Sequence, residues 1–514
     1  MRYVLILLAL PGMALADPAF IDRSAALPVA QVYDGEWEHF VGGGVAILDC
    51  NGDHRPDLYA AGGTNPARLF VNTTAAPGAD ITFAESPAPA LTGVTGAWPI
   101  DINGDGWLDL VVLRVGANVL LRGGPECAFT DATADWGFAA GERWSTAFTA
   151  TWQAGQDWPT LVVGNYVDRA RKDGPFGACD VNELHRPKGR SYAAPTLLDP
   201  GYCALSMLIS DWKRNGVPDL RISNDRHYYV RGGYEQMLHL DPLAEYTEAE
   251  GWNHVALWGM GIASRDLTGD GLPEVFLTSM ADQVMQINDG GGRLHDAPYS
   301  IGSYAQHPFI GDDGRPSTGW HAEFGDIDND GRSDLFIAKG NVQEMPSNAM
   351  ADPNNLLMQQ ADGTFAEKAD VAGVASMARS RGAGLTDLNG DGRLDLVVMN
   401  RRAAMELWQN ATLGTGNWLE VEPVQADGNR RAVGAWVELR ADGVVQTQEI
   451  TVGGGHGSGQ AGPLHFGLGG AERAEVRVIW PGGQASGWLP LAANRRWVVM
   501  VDGAGLRAAV SVLR

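Results

Sequence analysis

Beyond its first sixteen residues the sequence has no uncharged apolar run near the ~20 residues that a membrane-spanning helix needs, so no membrane insertion is expected. Basic residues are scarce. Against 62 Asp and Glu stand 38 Lys and Arg, a formal net charge of −24, which argues against nucleic acid and anionic membranes as partners. There are four cysteines and no C-x-x-C spacing, which speaks against a thiolate metal site or a redox dithiol. An even number in an exported chain reads instead as disulfides. Three connectivities are formally possible; Cys179 and Cys203 bracket one loop-like segment and form a natural pair, leaving Cys50 with Cys127 across neighbouring repeats. No nucleophile stands at motif spacing from a base, and Arg-Gly-Asp does not occur.

The chain opens on Arg2, an apolar run from Val4 to Leu10, and Ala14-Leu15-Ala16 before Asp17. These are the charged, apolar and small-residue regions of an export signal spanning residues 1–16, with cleavage expected after Ala16 and a secreted or periplasmic product. The remaining 498 or so residues exceed one core, so repeats or several domains are expected.

One pattern recurs: a strand of small and apolar residues, an acidic loop, then a second apolar strand. The loops begin at Asp49, Asp101, Asp211, Asp266, Asp326 and Asp387, spaced by 52, 110, 55, 60 and 61 residues. The interval of 110 is two units long, and the segment from Phe148 supplies the hidden unit: Leu161-Val162-Val163 matches Leu110-Val111-Val112, but the acidic loop has decayed. Seven units of about four short strands predict an all-β fold, a seven-bladed β-propeller over residues 17–410. The seventh unit lacks an evident fourth strand, which Val29 to Phe40 are expected to supply. Asp168 to Pro200 read as a surface loop stapled by a disulfide. After a linker, Ala411 to Gly416, alternating strands separated by Gly, Asp or Asn predict a small antiparallel sandwich or barrel over residues 417–514.

The loops read D-x-[DN]-x-D-G-x-x-D, in which side chains 1, 3, 5 and 9 converge on one point and position 7 offers a carbonyl, an arrangement of hard oxygens that suits Ca²⁺. Three loops fit fully: Asp101, Asn103, Asp105, Asp109; Asp326, Asp328, Asp330, Asp334; and Asp387, Asn389, Asp391, Asp395. Asp49, Asn51, Asp53, Asp57 fit with His54 where glycine is preferred, and Asp266, Thr268, Asp270, Glu274 fit with one weaker ligand. The fourth loop places Lys213 at position 3, where its ammonium is expected to replace the ion; the third, with Trp152, Ala154 and Gln156, is expected to hold none. About five calcium sites result. They gather 16 carboxylates, a crowding of like charge that requires counter-ions. An EF-hand would need flanking helices, and strands flank every loop here.

These loops resemble the FG-GAP or VCBS repeats of integrin α-subunit propellers. The tail, with Gly434-Ala435, the glycine-rich run from Gly453, Leu464 to Gly469 and Trp480-Pro-Gly-Gly, looks like the ASPIC/UnbV domain of the cartilage acidic protein family. The resemblance implies an extracellular or periplasmic calcium-binding protein connected with adhesion. Loops joining second to third strands lie on the face opposite the calcium loops, and there Asn165, Asp168, Asn224, Asp225, Arg226, His227, Asn341, Asn400, Arg401 and Arg402 form a candidate ligand face for a protein or glycan, with calcium as a structural staple. The alternative is an enzyme using the same funnel, with His227, His254 or His321 as acid or base.

Overall fold

The structure, a computed structural model, describes residues 17–171, 178–225, 232–304, 307–308, 311, 313–426, 428–502 and 505–510. The export-signal residues 1–16 lie outside this set, as do Arg226 and His227. Among the described residues no helix is long and apolar enough to cross a membrane.

Among the described residues, four-stranded antiparallel units follow one another as blades; two of them join into one eight-stranded sheet through Asp109–Gly116 and Arg143–Thr151, and the first carries Gly459–Ala461 as a fifth, parallel strand. The first contains Val45–Leu48, Asp57–Ala60, Arg68–Asn72 and Phe83–Ser86. The innermost strands of the next six are Val94–Ile100, Arg143–Thr151, Ala204–Ser210, Gly259–Arg265, Gly319–Gly325 and Arg379–Thr386. Each innermost strand neighbours the next, and the last returns to the first, so the sheets close into a ring. Closure hides most of the edge backbone that an open stack would expose. These inner strands are buried along nearly their whole length, which is why they read as apolar runs rather than alternations.

Two expectations need correction. The ring is closed by Phe20–Asp22, antiparallel to Glu406–Asn410, and not by Val29 to Phe40. The latter segment makes only single bridges, Val32 to Ala404, Tyr33 to Arg401 and Asp34 to Gly63, then turns inward through Trp37–His39. Nor is Asp168 to Pro200 a surface loop throughout: Asn182–His185 and Thr196–Leu198 are the two outer strands of the third blade. Without them that blade would end on a buried strand with unpaired backbone.

The C-terminal part is a sandwich. One sheet holds Leu464–Gly469, Asn417–Val424, Arg495–Asp502 and Gly505–Val510, the other Val444–Glu449, Trp436–Ala441, Arg473–Ile479 and Leu489–Ala492. Leu419, Val421, Val437, Leu439, Phe466, Val476 and Val499 fill the space between them.

This sandwich sits on the acidic-loop face of the ring. Residues 452–461 leave it and enter the axis. They bridge Val452 to Ala150, Gly453 to Leu208, Gly455 to Ile262 and Ser458 to Ala97, and Gly459–Ala461 runs parallel to Val45–Leu48. The His456 amide donates to His321 Nδ1 at 3.0 Å, and Gln460 Nε2 donates to the Leu385 carbonyl at 3.1 Å. All seven blades thereby touch one segment. Glycine is required on both sides of this approach: a Cβ on Gly44 would lie 1.8 Å from the Gly457 carbonyl oxygen, and one on Gly455 2.3 Å from His321.

From the opposite end, residues 37–42 cap the same axis. Phe40 packs edge-on to Trp144 and Tyr166, and Arg401 and Arg381 donate to the His39 and Phe40 carbonyls at 3.0 and 2.9 Å. The two plugs meet where Gly42 N–H donates to His456 Nε2 at 2.9 Å. The two segments thus occupy part of the axis, and a cavity remains among the innermost strands on the sandwich side.

Candidate metal loops and the free face

The five acidic loops share one hydrogen-bond scheme. The first carboxylate accepts the amides of the turn: Asp326 from Asp330 and Gly331 at 3.0 and 2.8 Å, Asp387 from Asp391 and Gly392 at 3.2 and 2.6 Å, Asp101 from Asp105 and Gly106 at 3.1 and 3.0 Å. Asp49 receives Asp53 and His54, and Asp266 receives Gly269 and Gly271. The sixth residue is left-handed; His54 adopts φ 68° where the other loops have glycine. This is the steric cost anticipated for a side chain at that position.

The ninth carboxylate has a second duty. Asp57 accepts Cys50 N–H on one oxygen and Asn72 N–H on the other, at 2.9 and 2.8 Å. Asp109, Glu274, Asp334 and Asp395 repeat the arrangement with the loop's second residue and the third strand. Position 9 therefore ties loop to blade. Of the described loops, Asp326, Asp328 and Asp330 bring three carboxylate oxygens within 4.8 Å of one another. At position 5, Asp53, Asp330 and Asp391 are each paired with an arginine at position 7: Arg55, Arg332 and Arg393.

Burial first, and then like charge, raises these carboxyls. Asp57, Glu274 and Asp387 are pushed up to about 7 and Asp330 to about 6, while Asp109, Asp326, Asp334 and Asp395 lie well above the ordinary range. Buried, crowded, oxygen-only groups fit a hard divalent cation. Cys50 lies beside Asp57 but is disulfide-bonded to Cys127, so no thiolate enters the set. The second disulfide joins Cys179 and Cys203. Two disulfides fit an oxidising compartment.

The fourth loop keeps the turn, Asp211 accepting Asn215 and Gly216 N–H at 2.9 Å, but Lys213 Nζ lies 3.0 Å from Asp219, and Trp212, Tyr246 and His239 also bond that carboxylate. In the third loop Gln153 and Gln156 bond Thr160, the ninth residue. Neutral and cationic groups thus replace the acidic cluster in both.

The sandwich lies against this face. Gly428 approaches Gly104, Trp418 packs on Gly392, and Arg496 donates to the His54 carbonyl at 3.0 Å. A cavity of about 230 Å³ remains between the domains, lined in part by Trp152, Arg265, Glu323, Arg431, Trp436 and Glu449.

The asparagines expected to greet a ligand are buried. Asn224 Nδ2 donates to the Tyr234 carbonyl at 2.9 Å, Asp225 accepts the Tyr166 hydroxyl at 2.6 Å, and Asn165, Asn341 and Asn400 bond the carbonyls of Val181, Met345 and Ala404. They close the loops between second and third strands from within, and buried amides need such partners. Arg401 is likewise buried on the axial cap. Of the histidines proposed for catalysis, His321 is buried against the plug and His254 is exposed and stacked on Tyr234; no contact joins them. Among the described residues the face exposes Trp37, 38% accessible and edge-on to Trp144, beside the Arg402 to Asp34 and Arg169 to Glu38 ion pairs, and also Met350, 41% accessible. A lone Trp-x-x-Phe gave no periodic signal by which to find it.

Ring and docked sandwich define a β-propeller carrying a C-terminal β domain. The chain contains FG-GAP-like repeats, matched over residues 49–112, 266–337 and 326–398, and an ASPIC and UnbV domain, matched over 425–505. No curated protein matches. Similar solved structures include BBS1N in complex with ARL6DN, soaked with lead (10% identity, TM-score 0.47, 78% of this chain and 99% of that one). The BP39L lectin from Burkholderia pseudomallei (11%, 0.40, 88% and 99%) and the Dos1 propeller (8%, 0.36, 75% and 96%) are others.

Proposed function

We propose that this chain is an exported, calcium-loaded binding module that holds a protein or glycan ligand on the face opposite its acidic loops, in an adhesive role. The observation that carries this reading is the double closure of the axis. The sandwich covers the loop face and residues 452–461 enter the axis, which leaves the opposite face, with Trp37 on it, to a large partner. An exposed indole ringed by ion pairs has the character of an interface anchor, rigid, amphipathic and bordered by polar groups. Calcium at the five loops would neutralise the clustered carboxylates and hold the turns in shape; Asp101, Asp266, Asp326, Asp387 and Asp49, with their position 3, 5 and 9 partners, would supply the ligands. Export is supported by the leader-like residues 1–16 and by the two disulfides.

A glycan and protein array probed with the purified mature protein, with and without EGTA, tests this. Retained ligands should lose at least tenfold in signal on Trp37→Ala and on chelation. Binding that survives Trp37→Ala unchanged would place the ligand elsewhere.

A further inference from the structure

The cavity of about 230 Å³ on the sandwich side of the axis is walled by innermost strands of the ring and by Trp436 of the sandwich. A space of about 150 Å³ accepts benzene, so this one takes a molecule of monosaccharide size. Its walls carry two opposite charges that do not meet. Arg265 ends the strand Gly259–Arg265 of the fifth blade. Of its five N–H donors, one is used among the described residues: Nη2 donates to the Phe324 carbonyl at 3.0 Å. Nε is buried without an acceptor, and among the described residues no carboxylate lies within ion-pair reach of the guanidinium. The neighbouring Asp266 turns to the Gly269 and Gly271 amides instead. Burial pushes the Arg265 pKa down to about 10, opposed by attraction from Glu323, Asp266 and Asp326, which leaves the group charged at neutral pH. A buried cation without a partner is strongly unfavourable. Arg431, the other guanidinium of the cavity wall, shows the satisfied case, paired with Glu422 at 2.6 Å.

Glu323 lies on the neighbouring strand, Gly319–Gly325 of the sixth blade. Its Oε2 accepts the Leu385 amide at 3.1 Å and faces His321 Nε2 at 3.4 Å. His321 Nδ1 already accepts the His456 amide, so the ring proton sits on Nε2 and points to Glu323. No lysine or arginine pairs with this carboxylate among the described residues, and its side chain remains 26% exposed. From the sandwich, strand Trp436–Ala441 sends Val437 and Leu439 into its own core and Trp436 and Glu438 toward the ring, where Glu438 meets Arg214. Trp436 is 3% exposed, with Arg214 over its indole at 4.3 Å and no acceptor for Nε1. The cavity thus brings together donors at Arg265 and Trp436, an acceptor at Glu323, and an apolar wall that includes Ile100, Leu208 and Ile262.

We propose that this cavity binds a small carboxylate that also carries hydrogen-bond donors, a sugar acid or a free amino acid, with its carboxylate at the Arg265 guanidinium and its hydroxyl or ammonium group at Glu323. A guanidinium grips a carboxylate through two parallel bonds, which gives such recognition its strength and geometry. The site is separate from the ligand face proposed above and does not depend on the calcium reading of the loops. Calorimetric titration of the mature protein at fixed CaCl₂ with D-glucuronate and with L-phenylalanine separates the two sources; D-glucose and L-phenylalaninamide are their counterparts without the carboxylate. One of the two acids should bind at least tenfold more tightly than its counterpart and raise the melting temperature. Arg265→Gln should abolish that preference, and Glu323→Gln should weaken the acid at least tenfold. Trp436→Phe, which removes the indole N–H and keeps an aromatic ring, should weaken binding severalfold without lowering the melting temperature of the free protein, and so tests the site even if the charge variants fail to fold. Binding of neither acid at millimolar concentration, equal affinity for an acid and its neutral counterpart, or an affinity that survives Arg265→Gln would each overturn the proposal.

Discussion

At the scale of single residues, the loop carboxylates set how the molecule should respond to acid. A carboxyl raised to about 7 by burial and like charge, as at Asp57, Glu274 and Asp387, keeps its proton in the folded metal-free state over a range where the unfolded chain has released it. The folded state then binds more protons, so metal-free stability falls as pH rises from about 4 to about 7. Calcium bound at the proposed sites would have to displace those protons, so its affinity should rise over the same interval. The drop in melting temperature caused by EGTA should therefore be several degrees larger at pH 8 than at pH 5.5, measured by calorimetry at fixed ionic strength. Equal drops at the two pH values would separate these carboxyls from metal binding. The tight turns and their crowded carboxylates were legible in the sequence, because spacing within such a loop is local. The amide contacts of position 9 were not: Asn72, Asn288, Gln359 and Asn410 arrive from a third strand, and Gly123 from just after one, whose register no local pattern declares.

At the scale of elements, the acidic loops acted as markers of the blades, and an interval of twice the usual length exposed the unit whose loop had decayed. Two features escaped such reading. Phe20–Asp22 is a three-residue strand, half exposed, too short to show a period of two. The axial plug, residues 452–461, is glycine-rich because the ring leaves no room for side chains, and glycine carries no periodicity. That crowding yields a stability prediction. Gly44→Ala drives a methyl group into the Gly457 backbone, where neither chain can easily yield, and overpacking of this kind costs about 1–3 kcal/mol. Urea unfolding should report a loss of that size, whereas Gly414→Ala, whose surroundings are open, tests only a left-handed backbone. A Gly44→Ala protein as stable as its parent would mean that the plug does not reside in the axis.

At the scale of the whole molecule, a ring of seven sheets is pinned from above by a docked sandwich and from within by two segments that meet at Gly42 and His456. His456 is buried, and burial pushes its pKa down to about 3, so the junction stays neutral and intact under physiological acidity. The axial segments were not legible in the sequence, since a repeat pattern describes each blade and says nothing of what occupies the centre they enclose. The architecture needs the loop face to be electrostatically quiet where the sandwich rests on it, and bound cations would achieve this. Ions that bind only the folded form stabilise by mass action, about 2.7 kcal/mol per site at a hundredfold excess over Kd. The most direct test is elemental analysis of the purified mature protein paired with thermal melts before and after chelation. The account predicts about five calcium ions per chain and a melting temperature that falls markedly with EGTA and recovers with added calcium; a metal-free protein whose melting temperature ignores the chelator would contradict it.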